Sequence, residues 1–198
     1  MRTVTGLFDT SSHAASAVDA LRDVGIASDD ISIVANNASG EIEHHHAHDE
    51  GGGAATGAGL GVATGGGIGL LAGLGALAIP GIGPVVAGGW LLTTAVGAAI
   101  GLASGSIVGA LLKAGVSEED AHVYAEGVRR GGALVTARVD DARADSANAI
   151  LRNAQGVDVA ARRDEYKNEG WSAFDENRTD VYSPGAPFIP PGSELGRN

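Results

Sequence analysis

The residues best suited to metal chemistry lie in the short run HHHAHDE at positions 44–50. Imidazole and carboxylate groups bind zinc, nickel or copper. This run is low in complexity and lacks the fixed spacing of a metal site, so we expect a solvated polar collar and assign no cofactor or metal. The weaker metal-ligand candidates are His44, His45, His46 and His48. Protonating these four histidines near pH 6 would change the net charge of segment 41–50 from about −4 to about 0. A pH-sensitive junction is therefore a further hypothesis.

The common catalytic signatures are missing from the sequence. The chain has no cysteine, which excludes disulfides, thiolate metal sites and thiol nucleophiles. It also has no G-K dipeptide of a P-loop, no H-E-x-x-H and no G-x-S-x-G. GIGLLA at 67–72 matches a dinucleotide fingerprint but lies in a glycine array and follows no predicted strand. We therefore predict that the protein is not an enzyme.

Charge is distributed very unevenly along the 198 residues. The net charge of -11 argues against nucleic acid as a partner. The N-terminus has one basic residue and no continuous apolar core, so we expect a cytoplasmic protein and no signal peptide. From Gly51 to Leu112 the sequence runs for 62 residues without Asp, Glu, Lys or Arg. This pattern predicts a charged domain interrupted by an apolar insertion.

The flanks of the insertion are typical of an α+β domain. The first flank predicts a strand at 3–8, a helix ending at Gly25 and a strand at 31–36. The second predicts a helix capped by Ser117, a strand at 133–139, a helix over 141–156 and a last strand at 157–160. We expect a ferredoxin-like βαβ…αβαβ sandwich, a four-stranded antiparallel sheet with helices on one face.

Several charged residues of these flanks have simple structural roles. Glu118 with Glu119, and Asp140 with Asp141, precede or open helices, where acids cap free amides. Lys113, Arg129 and Arg130 are interpreted as charges at helix C-termini.

Glycines recur every fourth position in both halves of the insertion. They are Gly57, Gly61, Gly65, Gly69, Gly73, Gly97, Gly101, Gly105 and Gly109. An interior glycine costs a helix about 0.8–1 kcal/mol relative to alanine, so a stripe of them must be offset by another interaction. Glycine stripes let two helices approach closely. The spacing predicts two helical arms, 54–79 and 85–112, joined by the turn PGIGP into a glycine-zipper hairpin that drives homo-oligomerisation.

Two environments for this hairpin stay open. Arms of this length, roughly 39 and 42 Å at about 1.5 Å per residue, could cross a hydrocarbon core of about 30 Å, which makes membrane lipid and the inner membrane one alternative. The acidic flanks are wrong for a membrane helix. The other alternative is a soluble homo-oligomeric particle whose hairpins form a lipid-free apolar core. A module that binds a small molecule or a metal is the remaining alternative.

The last part of the chain combines features of disorder with unexpected aromatic residues. Residues 161–198 are rich in proline, glycine and charge, yet they hold five of the eight aromatic residues. Large aromatic side chains on an extended segment are suited to docking in grooves of a neighbouring subunit. The docking candidates are Trp171, Phe174, Tyr182 and Phe188.

Two stretches of the flanks resemble a known bacterial family. VTGLFDTSSHAASAVDALRDVGIASDDISIV (4–34) and GVSEEDAHVYAEGVRRGGALVTARV (115–139), which continues to residue 159, are similar to the general stress protein 17M-like group, which includes heat- and low-temperature-induced proteins of the YflT type. The resemblance covers roughly residues 3–160. It implies a stress-associated, non-catalytic protein and supplies no catalytic motif.

Together these expectations divide the chain into four parts. A discontinuous ferredoxin-like domain occupies 1–40 and 113–160, an acidic His-rich junction 41–53, the glycine-zipper hairpin 54–112 and an aromatic tail 161–198.

Overall fold

The computed structural model describes residues 1–37, 75–79, 81–91 and 107–177. These residues form a mixed α/β domain around a five-stranded antiparallel sheet. The strands are β1 (Arg2–Phe8), β2 (Ile31–Asn36), β3 (Gly75–Ile79), β4 (Gly83–Gly89) and β5 (Ala133–Val139). The helices of the described ranges are α1 (Ser11–Asp23), α2 (Ile107–Lys113), α3 (Glu118–Arg129), α4 (Ala144–Asn153) and α5 (Val159–Asn168), with 3-10 turns at Ser28–Asp30 and Asp141–Arg143.

Local signals account for most elements of the flanks. The hydroxyl of Thr10 accepts the His13 N–H and caps α1, and the hydroxyl of Ser117 accepts the Asp120 N–H and caps α3. Glu118 and Glu119 lie in the first turn of α3, where their negative charges interact favourably with the helix dipole. The predicted strands near 3–8, 31–36 and 133–139 and the helices beside them are confirmed.

The strand order of the sheet is β1-β5-β2-β4-β3. β5 pairs with β1 from Arg2↔Val139 to Phe8↔Ala133, and it pairs with β2 on its other side. β4 continues the sheet beyond β2, and β3 pairs with β4. The sheet therefore reaches past the two flanks into residues of the charge-free stretch.

Helices cover both faces of the sheet, so the prediction of helices on one face is wrong. Ala17 and Leu21 of α1 and Leu151 of α4 are buried in the core on one face. Leu111 of α2 and Val128 of α3 are buried in the core on the other. Alternate residues of each strand contribute side chains to the two cores, because successive side chains of a strand point to opposite faces.

The predicted helical arms are wrong at residues 75–79 and 83–89, whereas residues 107–112 of the second arm lie in helix α2, as predicted. Residues 75–79 and 83–89 are strands β3 and β4, so the turn at PGIGP joins two strands instead of two helices. The β-branched Val85 and Val86 are buried on opposite faces of the sheet, and pairing with β2 stabilises them as strand residues. The inserted segment thus contributes a β-hairpin to the sheet.

The predicted last strand at 157–160 is also wrong. Asp158 instead caps α5, because its side chain accepts the Ala161 N–H, and the helix begins at Val159. One hydrogen bond remains at this position, from Val157 N to the Leu7 carbonyl at 2.8 Å. Residues 161–168, assigned to the tail from sequence, belong to this helix.

The pairing of β4 with β2 predicts a sharp difference between two glycines with positive φ. A Cβ at Gly89 would lie 2.2 Å from the Ile31 carbonyl oxygen, whereas a Cβ at Gly83 would meet no atom within 4 Å. Gly83→Ala should therefore cost only the left-handed backbone penalty of about 1–2 kcal/mol. Gly89→Ala should add an overpacking cost of about 1–3 kcal/mol in urea unfolding. Equal costs would contradict the β2–β4 pairing.

Candidate functional site at the hairpin

Most of the predicted oligomerisation and metal residues lie outside the described ranges. This holds for the glycines from 57 to 105, for the four histidines of the 44–50 run, and for Tyr182 and Phe188. Gly109 is described: it lies in α2 and is half-buried. The structure brings together a different set of residues, around the turn of the β3–β4 hairpin.

The hairpin turn depends on glycine at its third position. Ile82 N donates to the Ile79 carbonyl at 3.1 Å, which closes a turn over 79–82. Gly81 has a φ of 75°, a left-handed conformation that glycine adopts without the strain of a side chain. The sequence correctly placed a turn here, but the strands on either side decide its type.

A segment after α5, residues 169–177, packs on this turn, and we call it the C-terminal strap. A Cβ at Gly81 would lie 2.8 Å from the Asp175 carbonyl oxygen and 2.8 Å from Glu176 Cα. Phe174 is buried and joins the core beneath α2 and α3. Its backbone N donates to His122 Nδ1 at 3.2 Å, which ties the strap to α3. The strap therefore holds the hairpin turn against the domain.

Trp171 and Phe174 pack within their own chain, which corrects the prediction that they dock on a neighbour. Trp171 is buried with Val123 and Tyr166, and its ring meets Tyr166 edge to face with centroids 5.6 Å apart. The guanidinium of Arg130 lies 4.0 Å from the centroid of the Tyr166 ring. These contacts hold α5 and the strap on α3.

A buried ion cluster beneath the strap is the feature that sequence reasoning missed. Glu126 is 1% exposed and Arg129 is 5% exposed. Glu126 accepts from Arg129 Nε at 2.9 Å and Nη2 at 2.6 Å, and from Arg130 Nε at 2.7 Å. Arg130 also pairs with Glu169 of the strap. Arg129 and Arg130 therefore bind a carboxylate besides ending a helix; their spacing of three and four residues from Glu126 was the signal available in the sequence.

The electrostatics of Glu126 follow from its two arginine partners. Burial alone would raise the pKa of Glu126, but the hydrogen bonds and charges of Arg129 and Arg130 outweigh it and lower that pKa below its ordinary value of 4.5. Glu126 is therefore ionised at neutral pH, and the cluster is a structural tie between α3 and the strap.

The two edges of the sheet differ in how their backbone groups are used. On β1, the carbonyl of Leu7 accepts from Val157 N, and the carbonyl of Thr5 accepts from the Tyr124 hydroxyl at 3.4 Å. Burial raises the pKa of Tyr124, so its hydroxyl keeps the proton that it donates. On β3, no residue in the described part of the chain pairs with the outer side. The edge formed by β3 is therefore open among these residues, and that of β1 is partly closed.

A shallow groove of about 440 Å³ lies where α4 meets α5. Its lining includes Arg152, Asp158 and Arg163. Arg163 is already paired with Asp120 and with Glu119, at 3.0 Å for the latter. The groove thus has opposite charges that neutralise each other, and it does not single out a ligand.

The described ranges contain neither a cluster of metal ligands nor a membrane-spanning helix. In these ranges, no three His, Asp or Glu side chains lie close enough together to hold a metal ion. No helix in these ranges has the length and apolar character needed to cross a membrane.

Comparison of the chain with protein-family models, with curated proteins and with solved structures gives no match.

The Glu126 cluster predicts a pH-dependent loss of stability. Glu126→Gln should lower the free energy of unfolding by about 3 kcal/mol or more at neutral pH, because Arg129 stays buried without its carboxylate. The folded-state pKa is below the unfolded value, so this stabilisation is complete above pH 4.5 and is lost as pH falls through the folded pKa. Urea unfolding from neutral pH to below pH 4.5 should show that the difference in unfolding free energy between parent and variant becomes smaller in acid.

Glu165→Gln is the matched control for the Glu126 variant. Glu165 pairs with Arg162 at 3.0 Å but is 60% exposed, so its loss should cost at most about 1 kcal/mol. Equal costs for the two variants, or a gap that does not change with pH, would contradict the assignment.

The contact between strap and turn predicts a proteolytic signature. Gly81→Ala should push the strap away, because the new Cβ would overlap the backbone of Asp175 and Glu176. Cleavage at Glu176 by a glutamate-specific protease should then become faster. Gly25→Ala, with a φ of 82° and open space, carries the same backbone penalty on a turn after α1 and should leave this rate unchanged. Parallel acceleration in both variants would mean general destabilisation.

Proposed function

We propose that this protein is a non-enzymatic, self-assembling stress-associated protein that forms a homo-oligomer through its charge-free stretch. The observation that carries the proposal is that this stretch supplies the edge of the sheet. Residues 75–79 and 83–89 belong to it and form the hairpin that ends the sheet at β3. The proposed association surface therefore starts at a hydrogen-bonded part of the domain.

Charge supports the same proposal. With a net charge of -11, two copies repel each other over most of their surface. The 62 residues from Gly51 to Leu112 carry no charged side chain and include the glycine stripe. Association through this stretch limits the charge repulsion between the acidic flanks of two copies, and it removes apolar surface from water. In the proposed assembly, the glycine zipper of 57–73 and 97–109 lets helices pack closely against each other.

We further infer that the domain is a variant of the ferredoxin-like sandwich. The support is the order β1-β5-β2, which is the order of the first, third and second strands expected for that fold. The expected fourth strand is replaced by a helix, α5, and the hairpin occupies the opposite side of the sheet. The stress association rests on the resemblance of the flanks to the general stress protein 17M-like group.

The membrane-inserted hairpin is the second candidate, and one observation weighs against it. A hairpin whose two arms cross the bilayer must carry its turn to the far side, yet the turn over 79–82 lies beneath Phe174 and the rest of the strap. A lipid-free assembly requires no such crossing, so it is the form that we propose.

The deciding experiment separates lipid binding from assembly and then tests the stripe. Gently lysed, detergent-free cells are floated through a density gradient, and the protein that stays below is sized by light scattering. We expect a discrete particle larger than one chain in the dense fractions. Gly65→Leu and Gly101→Leu should each reduce the particle mass, because a large side chain separates the packed helices.

Gly→Leu substitutions off the stripe, at Gly59 and Gly67, provide the comparison and should have smaller effects on assembly. Migration with lipid would support the membrane alternative. A single-chain mass at all concentrations would overturn the proposal, and equal tolerance at all four glycines would exclude the stripe as the interface.

A further inference from the structure

We infer that the outer edge of β3 is a pairing site for β3 of a second copy of this chain, so that two sheets join into one antiparallel sheet. This inference rests on the proposed function, since it names the element through which the copies meet. It starts from the hydrogen bonds of the hairpin, which fix the direction of each backbone group.

The hairpin register shows which groups of β3 point outward. Ala78 faces Pro84 across the pair, and the Pro84 carbonyl accepts from Asn37 N, next to β2, at 3.0 Å. Pro84 thus directs its carbonyl away from β3, which makes Ala78↔Pro84 a non-hydrogen-bonded pair. The N–H and C=O of Ala78 therefore point away from β4. By the two-residue alternation of a strand, those of Ala76 point the same way.

The sequence of β3 suits pairing with itself. Ala76-Leu77-Ala78 is symmetric about Leu77, so a two-fold axis there places Ala76 opposite Ala78 of the second copy. Each such pair exchanges both of its N–H···O bonds, which uses all four outward groups of these two residues. Ala78 is exposed, and the edge is accessible at that residue.

Within the described part of the chain, the edge also lacks the devices that keep edge strands apart. Natural sheets protect their edges with charged side chains, prolines within the strand, bulges or covering segments. β3, Gly75–Ile79, has neither charge nor proline and pairs with β4 without a bulge. β1, at the other end of the sheet, starts with Arg2 and has two outward carbonyls bonded by Val157 and Tyr124. The contrast between the two edges selects β3.

Charge favours a second copy of this chain as the occupant. An acidic protein meets another copy of itself with least repulsion where neither carries charge, and β3 lies inside the charge-free stretch. Pairing of the strands fixes the register and the two-fold axis. The apolar residues of the same stretch supply the burial that a short strand cannot supply alone.

The test uses three substitutions of the exposed Ala78 in the full chain. Ala78→Lys places like charges on either side of the two-fold axis, and Ala78→Pro removes an outward N–H without removing a bond to β4. Ala78→Thr is the matched control, because threonine is larger and polar but favours strands. Particle mass is measured by light scattering over a range of concentrations, with circular dichroism and thermal unfolding as checks of the fold.

We expect Ala78→Lys and Ala78→Pro to raise the dissociation constant at least about tenfold, and Ala78→Thr to leave it near that of the parent. Loss of assembly in all three variants would indicate a steric effect of the side chain and would overturn backbone pairing. Unchanged assembly in all three would overturn β3 pairing, while a response to Gly65→Leu would keep the proposed function. A parent protein that is monomeric at every concentration would overturn both.

Discussion

The fold depends on the hydrogen bonding of β2 on both of its sides. Residues 31–35 of β2 are all buried, so no water is available to bond their backbone groups. β5 satisfies one side and β4 the other. In the four-stranded sheet expected from sequence, β2 would have been an edge strand, and its outer groups would have been left unpaired among apolar side chains. The hairpin of the charge-free stretch meets this requirement and becomes part of the domain.

Once β4 pairs with β2, the covering of the second face follows. Val85 and Ala87 of β4 extend the apolar surface to which α2 and α3 contribute Leu111 and Tyr124. Phe174 closes the core at the hairpin end, and the strap is held in turn by Trp171, Tyr166 and the pair of Arg130 with Glu169. The Glu126 cluster thus contributes beyond one helix, because its Arg130 connects α3 to the segment that retains the hairpin turn.

The sequence predicted the elements whose determinants are local. Thr10 and Ser117 cap helices through their own hydroxyls, and the alternation at 133–139 reflects a strand buried on two faces. The sequence predicts a strand at 157–160 because VDVA is short and rich in valine, although the cap by Asp158, which starts the helix at Val159, is equally local. Residues 75–89 form strands because β4 pairs with β2, which is more than 35 residues away in the chain. The spacing of glycines carries no information about such a distant pairing.

Candidate site residues divide in the same way. Large aromatic residues in a segment predicted to be a tail indicate that the segment packs on a protein surface. Their presence does not indicate which surface they cover. Phe174 and Trp171 cover their own domain because α5 returns the chain along α3. The pairing of Glu126 likewise depends on burial by the tertiary structure. The same three residues on an isolated helix would form solvated ion pairs of little value.

The asymmetry of the sheet edges connects the fold to assembly. Closing β1 with the Tyr124 hydroxyl and the Val157 N–H uses groups that the α+β flanks already provide. Among the described residues, the flanks provide no comparable bond to the outer side of β3, which lies beyond β4 at the far end of the sheet. Adding strands to satisfy β2 therefore moves the open edge outward from a charged domain to a charge-free segment. In the assembly that we propose, backbone pairing at this edge, rather than any single side chain, lets a strongly acidic chain bind its own copy.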